Sequence, residues 1–269
     1  MQSKKCFSFL LLACAILLCG ASVANACSCV GSPTVLDAYD YADIVVITRA
    51  VSVEKADKDE RYAVDGVRST RMVVEEVFKG CVKVGDEMTF GQGGGADCIW
   101  TFNEQSLGKR YLFYLNSPQE SREIWFAGGC GRSTGVDNAT DDLLYLNRLD
   151  EVRGKTRISG MVEFLGDSNL GVGGRVIRIS GANKVHTIKT NRKGVYEIYD
   201  LPPGRYLLEA ETPTGWRAES YFLPTSYTSN FDGRGEEQSP KKFLIILEDK
   251  KHVGFVVRFE KDNTVRDKH

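Results

Sequence analysis

A Cys-Ser-Cys sequence, Cys27-Ser28-Cys29, stands directly behind a signal-peptidase site. A basic start precedes the apolar run over residues 7–18, and Ala24-Asn25-Ala26 supplies the small residues that signal peptidase recognises. Cleavage after Ala26 would make Cys27 the first residue of the mature chain, with a free α-amine beside its carbonyl and its sulfur. A chain that begins in this way can be anchored covalently at its first residue, and the arrangement suggests chemistry at the N-terminus itself.

The predicted signal peptide, residues 1–26, implies a secreted or extracellular protein, in the periplasm or at the cell surface if the source is bacterial. Its apolar run is shorter than the about 20 residues that a helix needs to cross a bilayer, and no other stretch qualifies. Leu11-Leu12-Ala13-Cys14 resembles a lipobox, but cleavage there would leave almost no hydrophobic region before the cut. We therefore expect an exported chain with no membrane span.

The charges of the chain are nearly balanced. The chain has 35 Lys and Arg against 36 Asp and Glu. Such a balance gives no reason to expect nucleic acid or an anionic membrane as a partner.

The cysteines divide the chain into two parts. Three of the eight leave with the signal peptide, and the five that remain all lie in the first half: Cys27, Cys29, Cys81, Cys98 and Cys130. Clustered cysteines in an exported chain indicate a disulfide framework, and an odd number leaves one thiol over. We expect a cysteine-containing domain at 27–153, a cysteine-free domain at 155–261 and a polar tail at 262–269.

The first domain is predicted to be mainly β. Strand patterns cover residues 42–50, 68–78, 87–90, 109–115 and 123–126. Five or six strands joined by loops of varied length favour a small closed barrel. A flanking helix is predicted at 141–152, with Thr140 as its N-cap and Gly154 just past its end. A shorter helix is predicted at 33–39.

The second domain shows strand patterns between turn residues, at 158–164, 175–179, 185–190, 195–198, 206–210, 243–247 and 253–259. This pattern is typical of an immunoglobulin-like antiparallel β-sandwich.

Several segments match enzyme or cofactor motifs only in their letters. Gly131-Arg132-Ser133-Thr134-Gly135 fits the G-x-S-x-G pattern but lacks the strand–turn–helix context, so a plain loop is favoured. The glycines at 91–96 lead to Cys98 rather than to a helix of a βαβ unit. His186, His252 and His269 have no metal-ligand or triad spacing. We expect no enzyme activity and no cofactor of the protein's own.

The mature N-terminal region resembles the tissue inhibitors of metalloproteinases, whose N-terminal domain is a netrin-like OB-fold barrel. The resemblance covers about residues 27–152. It is carried by Cys27-Ser28-Cys29, by the strand at 42–46, by Phe78-Lys79-Gly80 and by the Gly-Lys-x-Tyr-Leu sequence at 108–112. The second half resembles carboxypeptidase regulatory-like (transthyretin-like, Cna-B-like) modules, through the segments 194–198 and 201–206.

The resemblance implies a disulfide pairing and a function. It implies the pairs Cys27–Cys98 and Cys29–Cys130. The family's third pair in this domain is absent, which leaves Cys81 as a free thiol that could join two chains in a disulfide dimer. The implied function is inhibition of a zinc metalloendopeptidase, whose catalytic zinc would be chelated by the α-amine and carbonyl of Cys27.

The remaining contacts with the protease would come from the residues that follow Cys27. The resemblance implies that Ser28 points toward the specificity pocket of the protease and that Cys29, Val30 and Gly31 contact its cleft.

The alternative is a secreted or surface adhesive or scaffolding protein without inhibitory activity. The closure of two long loops by disulfides stabilises a fold by roughly 4–5 kcal/mol each in the chain-entropy model, and this benefit alone would explain the cysteines.

Overall fold

The computed structural model describes residues 33–56, 66–93, 98–117, 124–165, 171–221 and 242–262. The first six strands form one sheet in the order β5-β3-β2-β1-β4-β6. Their bounds are β1 Ile44–Lys55, β2 Val67–Lys79, β3 Glu87–Gly91, β4 Arg110–Leu115, β5 Ile124–Trp125 and β6 Thr134–Gly135. Short 3-10 helices occupy Glu104–Ser106 and Val136–Asn138.

This sheet is rolled into a barrel. Strands β3 and β4 are three positions apart in the sheet order, so a flat sheet would separate them by about 14 Å. Instead the rings of Phe90 on β3 and Phe113 on β4 stack with their centroids 4.6 Å apart. Phe102 and Trp100 pack edge-on against Phe113. The aromatic core therefore brings the two sides of the sheet together, as predicted for this half of the chain.

Strand β1 is buried on both faces at its start, as its continuous β-branched sequence predicts. Ile44 and Val46 point into the barrel core, whereas Val45 and Ile47 belong to a second apolar cluster outside it. That second cluster contains residues of the three helices: α1 (Val35–Tyr41), α2 (Thr140–Leu146) and α3 (Leu149–Val152). The helices therefore cover the outer face of β1.

Two helix predictions need correction. The predicted helix at 141–152 is two helices, α2 and α3, separated by Asn147 and Arg148. Thr140 is not the N-cap: it lies inside α2, and the N-cap residue Ala139 offers no side-chain hydrogen bond. The other helical signals agree with the structure, since Gly154 has a φ of 79° just past α3. The shorter helix occupies 35–41 and is capped by Thr34, whose Oγ1 accepts from the Asp37 amide at 3.2 Å.

The remaining strands form two four-stranded sheets, in the orders β10-β7-β14-β12 and β13-β11-β8-β9. Their bounds are β7 Arg157–Phe164, β8 Val176–Gly181, β9 Lys184–Lys189, β10 Val195–Tyr199, β11 Gly204–Ala210, β12 Trp216–Tyr221, β13 Lys242–Leu247 and β14 His252–Lys261. Residues from both sheets share one apolar core. The predicted β-sandwich is therefore confirmed, with β12 as a strand that the sequence pattern missed.

The sandwich is not wholly antiparallel, contrary to the prediction. Strands β7 and β14 pair in parallel, with Ile158 opposite Val253 and Val162 opposite Val257. Parallel neighbours need a crossover connection of about a dozen or more residues. Here strands β8 to β13 lie between β7 and β14 in the chain. The alternation of apolar and polar residues within a strand does not show whether the strand runs parallel or antiparallel to its neighbour.

Helices α2 and α3 lie between the barrel and the sandwich. The ring of Tyr145 on α2 packs edge-on against His252 at the start of β14, with centroids 4.9 Å apart. Asp141 on α2 binds Arg157 of β7 through a 2.7 Å ion pair. The prediction that residues 155–261 fold independently remains a prediction, but these contacts mean that the junction is not an exposed linker.

Candidate functional site

Two chain segments that carry cysteines lie side by side at one edge of the barrel. Ile99 and Gly128 form an antiparallel bridge. The Trp100 amide donates to the Ala127 carbonyl at 2.8 Å, and the Gly129 amide donates to the Cys98 carbonyl. These bonds place Cys98, the first residue of one segment, next to Gly129, which directly precedes Cys130 in the other. We call residues 98–100 and 127–130 the cysteine edge.

Both cysteines of this edge, Cys98 and Cys130, are disulfide-bonded, whereas Cys81 is a free and exposed thiol. The partners predicted for them, Cys27 and Cys29, lie outside the described residues, as do Ser28, Val30 and Gly31. The pairs Cys27–Cys98 and Cys29–Cys130 therefore stay predictions, as does a dimer through Cys81.

The backbone at the cysteine edge has a conformation that is costly for most residues. Cys98 has a φ of 54°, in the left-handed region that favours glycine. Opposite it, a Cβ on Gly129 would lie 2.9 Å from the Cys98 carbonyl oxygen, closer than side-chain carbons approach. Strained backbone of this kind persists only where the surrounding structure enforces it, and it concentrates at functional sites.

Arg132, two residues after Cys130, holds the segment that leads out of the N-terminus. Its Nη1 donates to the Pro33 carbonyl at 3.2 Å, while its Nε and Nη2 bind Asp142 at 2.7 and 2.8 Å. Nη2 also reaches Asp141 at 3.0 Å. The guanidinium is thus fixed by two carboxylates and in turn fixes Pro33.

The buried charges around Arg132 stabilise each other's ionised forms. Burial alone would lower the pKa of the Arg132 guanidinium, but the neighbouring carboxylates of Asp142 and Asp141 outweigh it and raise that pKa above its ordinary value. Burial would likewise raise the pKa of Asp141, but Arg157 and Arg132 hold it below the usual range. Both groups therefore stay charged across the physiological range, so the hydrogen bond to Pro33 comes from a charged guanidinium.

Pro33 is the first residue that the structure describes, and the clamp holds it against Arg132, two residues after Cys130. Pro33 follows Cys29 by four residues, and four residues span at most about 14 Å. Sequence reasoning missed Arg132, because it treated residues 131–135 only as a loop. The one signal available was an arginine two residues after a cysteine in the sequence.

The remaining sequence motifs have structural explanations. Ser133 Oγ accepts from the Tyr114 amide at 3.0 Å, and Thr134 and Gly135 form strand β6 rather than a plain loop. His186 lies on β9 and His252 on β14, whereas His269 is outside the described residues. Among the described residues, no three His, Cys, Asp or Glu side chains are grouped to hold a metal ion. No helix in the described segments is long and apolar enough to cross a membrane.

Comparisons with known proteins assign no family. No family model matches the chain, and no curated protein matches it. Among solved structures, it is similar to a 5-hydroxyisourate hydrolase of Klebsiella pneumoniae, with 18% identity, 40% of this chain and 92% of the other covered, and a TM-score of 0.25.

Two further similarities are to pilus proteins. The minor pilin GBS52 of Streptococcus agalactiae is 11% identical, with 82% of this chain and 84% of the other covered and a TM-score of 0.28. The pilus 2b backbone protein of group B streptococcus is 13% identical, with 84% and 80% covered and a TM-score of 0.27. Similarities of this size assign neither a family nor a function.

Proposed function

We propose that the protein is a secreted inhibitor of zinc metalloendopeptidases, which binds the catalytic zinc through the α-amine and carbonyl of Cys27. One observation carries the proposal: two disulfide-bonded cysteines, Cys98 and Cys130, lie side by side at one barrel edge. The Arg132 clamp fixes Pro33, four residues after Cys29, and Arg132 itself lies two residues after Cys130. An N-terminal Cys-Ser-Cys segment joined there would be held at two points, with one residue between them.

The chemistry of chelation follows from the mature N-terminus. A catalytic zinc keeps one coordination position open for water or substrate. An α-amine and the adjacent carbonyl oxygen form a five-membered chelate that displaces this water. The amine must be neutral to donate its lone pair, and an unperturbed α-amino pKa of about 7.7–8.0 makes deprotonation inexpensive near neutral pH.

Stiff attachment of the chelating residue favours tight binding. Two disulfides near the N-terminus would order it during folding, so little conformational entropy would be lost when the protease binds. In this arrangement Ser28 would enter the specificity pocket of the protease, and Cys29, Val30 and Gly31 would contact the cleft.

The second candidate is a secreted or surface adhesive or scaffolding protein. The same disulfides would then only stabilise the barrel, and the docked sandwich would act as a spacer. Two of the solved structures named above are pilus proteins, but TM-scores below 0.3 give adhesion no preference over inhibition.

The decisive experiment adds one alanine before Cys27. The addition turns the α-amine into a peptide N–H, which cannot ligate zinc, while the fold and both disulfides should remain. We expect the mature protein to inhibit at least one member of a panel containing thermolysin and several metzincins, and the extended protein to lose at least about 100-fold in inhibition. Cys81→Ser, which removes an exposed free thiol and leaves the amine intact, is the matched control and should inhibit like the parent.

Mass spectrometry of the mature protein must first show that it begins at Cys27. A mature protein that inhibits no member of the panel would favour the adhesive or scaffolding function. Equal inhibition by the extended and parent proteins would show that binding does not use the α-amine.

A further inference from the structure

We infer that two exposed apolar side chains beside the cysteine edge, Ile124 and Phe126, form part of the surface that contacts the protease. We call them the β5 patch. The inference rests on the proposed function and extends it from the zinc-binding residue to the apolar contacts that set affinity.

The β5 patch lies on the outer face of the barrel. Along β5 and the residue after it, Trp125 packs toward the barrel core while its neighbours point outward. Ile124 and Phe126 are large apolar side chains, yet they remain 41% and 44% exposed. Aromatic side chains are enriched at protein–protein interfaces relative to the rest of the surface, and Ile124 extends the apolar area beside Phe126.

The ring of Phe126 is held in place by the strand beneath it. A Cβ on Gly91 of β3 would lie 2.4 Å from Cε1 of Phe126 and 3.1 Å from Cγ2 of Ile124. Only glycine at this position allows the ring to lie directly on the β3 backbone. A side chain that is already ordered loses little entropy on binding, which favours a contribution to affinity.

The patch is close to the predicted attachment point of the N-terminus. Phe126 precedes Gly128 by two residues, about 7 Å of extended chain, and Gly128 pairs with Ile99 beside Cys98. A stable protein–protein interface covers about 800 Å² on each partner, equivalent to a disc of about 16 Å radius. A protease bound through Cys27 would therefore extend over the neighbourhood of Phe126.

The chemistry of the patch selects the part of the protease that meets it. Phe126 and Ile124 present only carbon to the partner, so they suit an apolar rim of the substrate cleft. A charged rim would lose its hydration without a compensating bond.

The test compares Phe126→Ser with the parent protein against the same protease panel. We expect a 10- to 100-fold increase in the inhibition constant, the range of an interface hot spot, with chelation by Cys27 intact. Leu207→Ser, which replaces an apolar residue of similar exposure on β11 of the sandwich, should leave inhibition unchanged. Gly91→Ala, which forces the ring of Phe126 to move, should weaken inhibition although both patch residues are present.

Circular dichroism and disulfide mapping identify variants that have lost their fold. If Phe126→Ser is one of them, Ile124→Ser serves in its place, because it leaves the ring and Gly91 untouched. A folded patch variant that inhibits as well as the parent overturns the inference but leaves the chelating mechanism standing. A parent protein that inhibits nothing overturns the proposed function, and the inference with it.

Discussion

His252 is the residue whose burial has the clearest energetic consequence. It is only 6% exposed, and neither ring nitrogen makes a hydrogen bond of good geometry among the described residues, although the Lys155 backbone faces the ring. Burial, together with the positive charge of Arg157, lowers the pKa of His252 from 6.5 to about 3, and the opposing influence of Asp141 is outweighed. The imidazole is therefore neutral in the folded protein at neutral pH.

This shift makes acid destabilise the fold. The pKa of His252 is lower in the folded chain than in the unfolded chain, so the unfolded state binds the proton more strongly between about pH 6.5 and 3. We expect His252→Phe, which keeps an aromatic ring against Tyr145, to be more resistant to acid than the parent. The difference in unfolding free energy should grow by about 3 kcal/mol from pH 7 to pH 4.

Urea unfolding measured at several pH values checks this expectation. Tyr145→Phe is the control, since it removes a buried hydroxyl without a partner that does not titrate in this range. A His252→Phe profile parallel to that of the parent would contradict the assignment of acid sensitivity to this imidazole.

At the scale of elements, one chain of charges joins helix α2 to strands β7 and β10. Arg157 on β7 is 1% exposed and bridges Asp141 on α2 at 2.7 Å and Glu197 on β10 at 2.8 Å. Arg148, which follows α2, binds Glu197 at 3.4 Å and lies over the ring of Tyr199. The interruption between α2 and α3 thus coincides with a side chain that turns toward the sandwich.

Removal of Arg157 should be far more costly than removal of a surface arginine. Arg157→Met would leave Asp141 with Arg132, and Glu197 with Arg148, as the remaining cation among the described residues, and we expect a loss of about 3 kcal/mol. Arg49→Met is the matched control, because its ion pair with Glu75 is nearly half exposed on the arginine side and is expected to contribute less than about 1 kcal/mol. Denaturant unfolding compares the two.

Restoring charge balance offers a further check on this element. Arg157→Met combined with Asp141→Asn and Glu197→Gln should recover part of the loss, because no uncompensated charge then remains buried. Equal losses for the Arg157 and Arg49 variants would mean that the buried pairs contribute no more than surface ones.

At the scale of the whole molecule, the contacts described here between the sandwich and the rest of the chain are made by helix α2 rather than by the cysteine edge. Tyr145 and Asp141 are covered by residues of the sandwich, whereas Cys98 and Cys130 lie among barrel segments. We expect removal of the sandwich to expose Tyr145 and Asp141 and to leave Cys98 and Cys130 in place.

A chain that ends at Val152 should therefore be less stable but still inhibitory. We expect a lower thermal unfolding midpoint, because α2 loses its partners, and an inhibition constant within about 3-fold of the full-length protein at a temperature where the barrel is folded. Calorimetry and protease assays measure the two quantities. Loss of inhibition in a folded barrel would show that residues after Val152 supply part of the interface.

Local signals were enough to predict most elements of this protein. The continuous apolar run of β1, the alternating strands and Gly154 behind α3 are encoded within short segments, because burial and backbone preference act residue by residue. The barrel and sandwich classes followed from the number and spacing of those segments. The cysteines similarly predicted where a covalent framework would form, although their pairing rested on a resemblance.

Only the tertiary structure decided how these elements meet. The parallel pairing of β7 with β14, the role of Arg132 at Pro33 and the burial of His252 against Tyr145 join residues that are distant in sequence. Strand direction, ion-pair partners and desolvation depend on what packs across the contact, and no local pattern records that. The sequence by itself determined which segments form strands and where the cysteines cluster. The packing of α2 and α3 between the barrel and the sandwich decided how the buried charges are paired, because a charged side chain buried there has only its packed neighbours as partners.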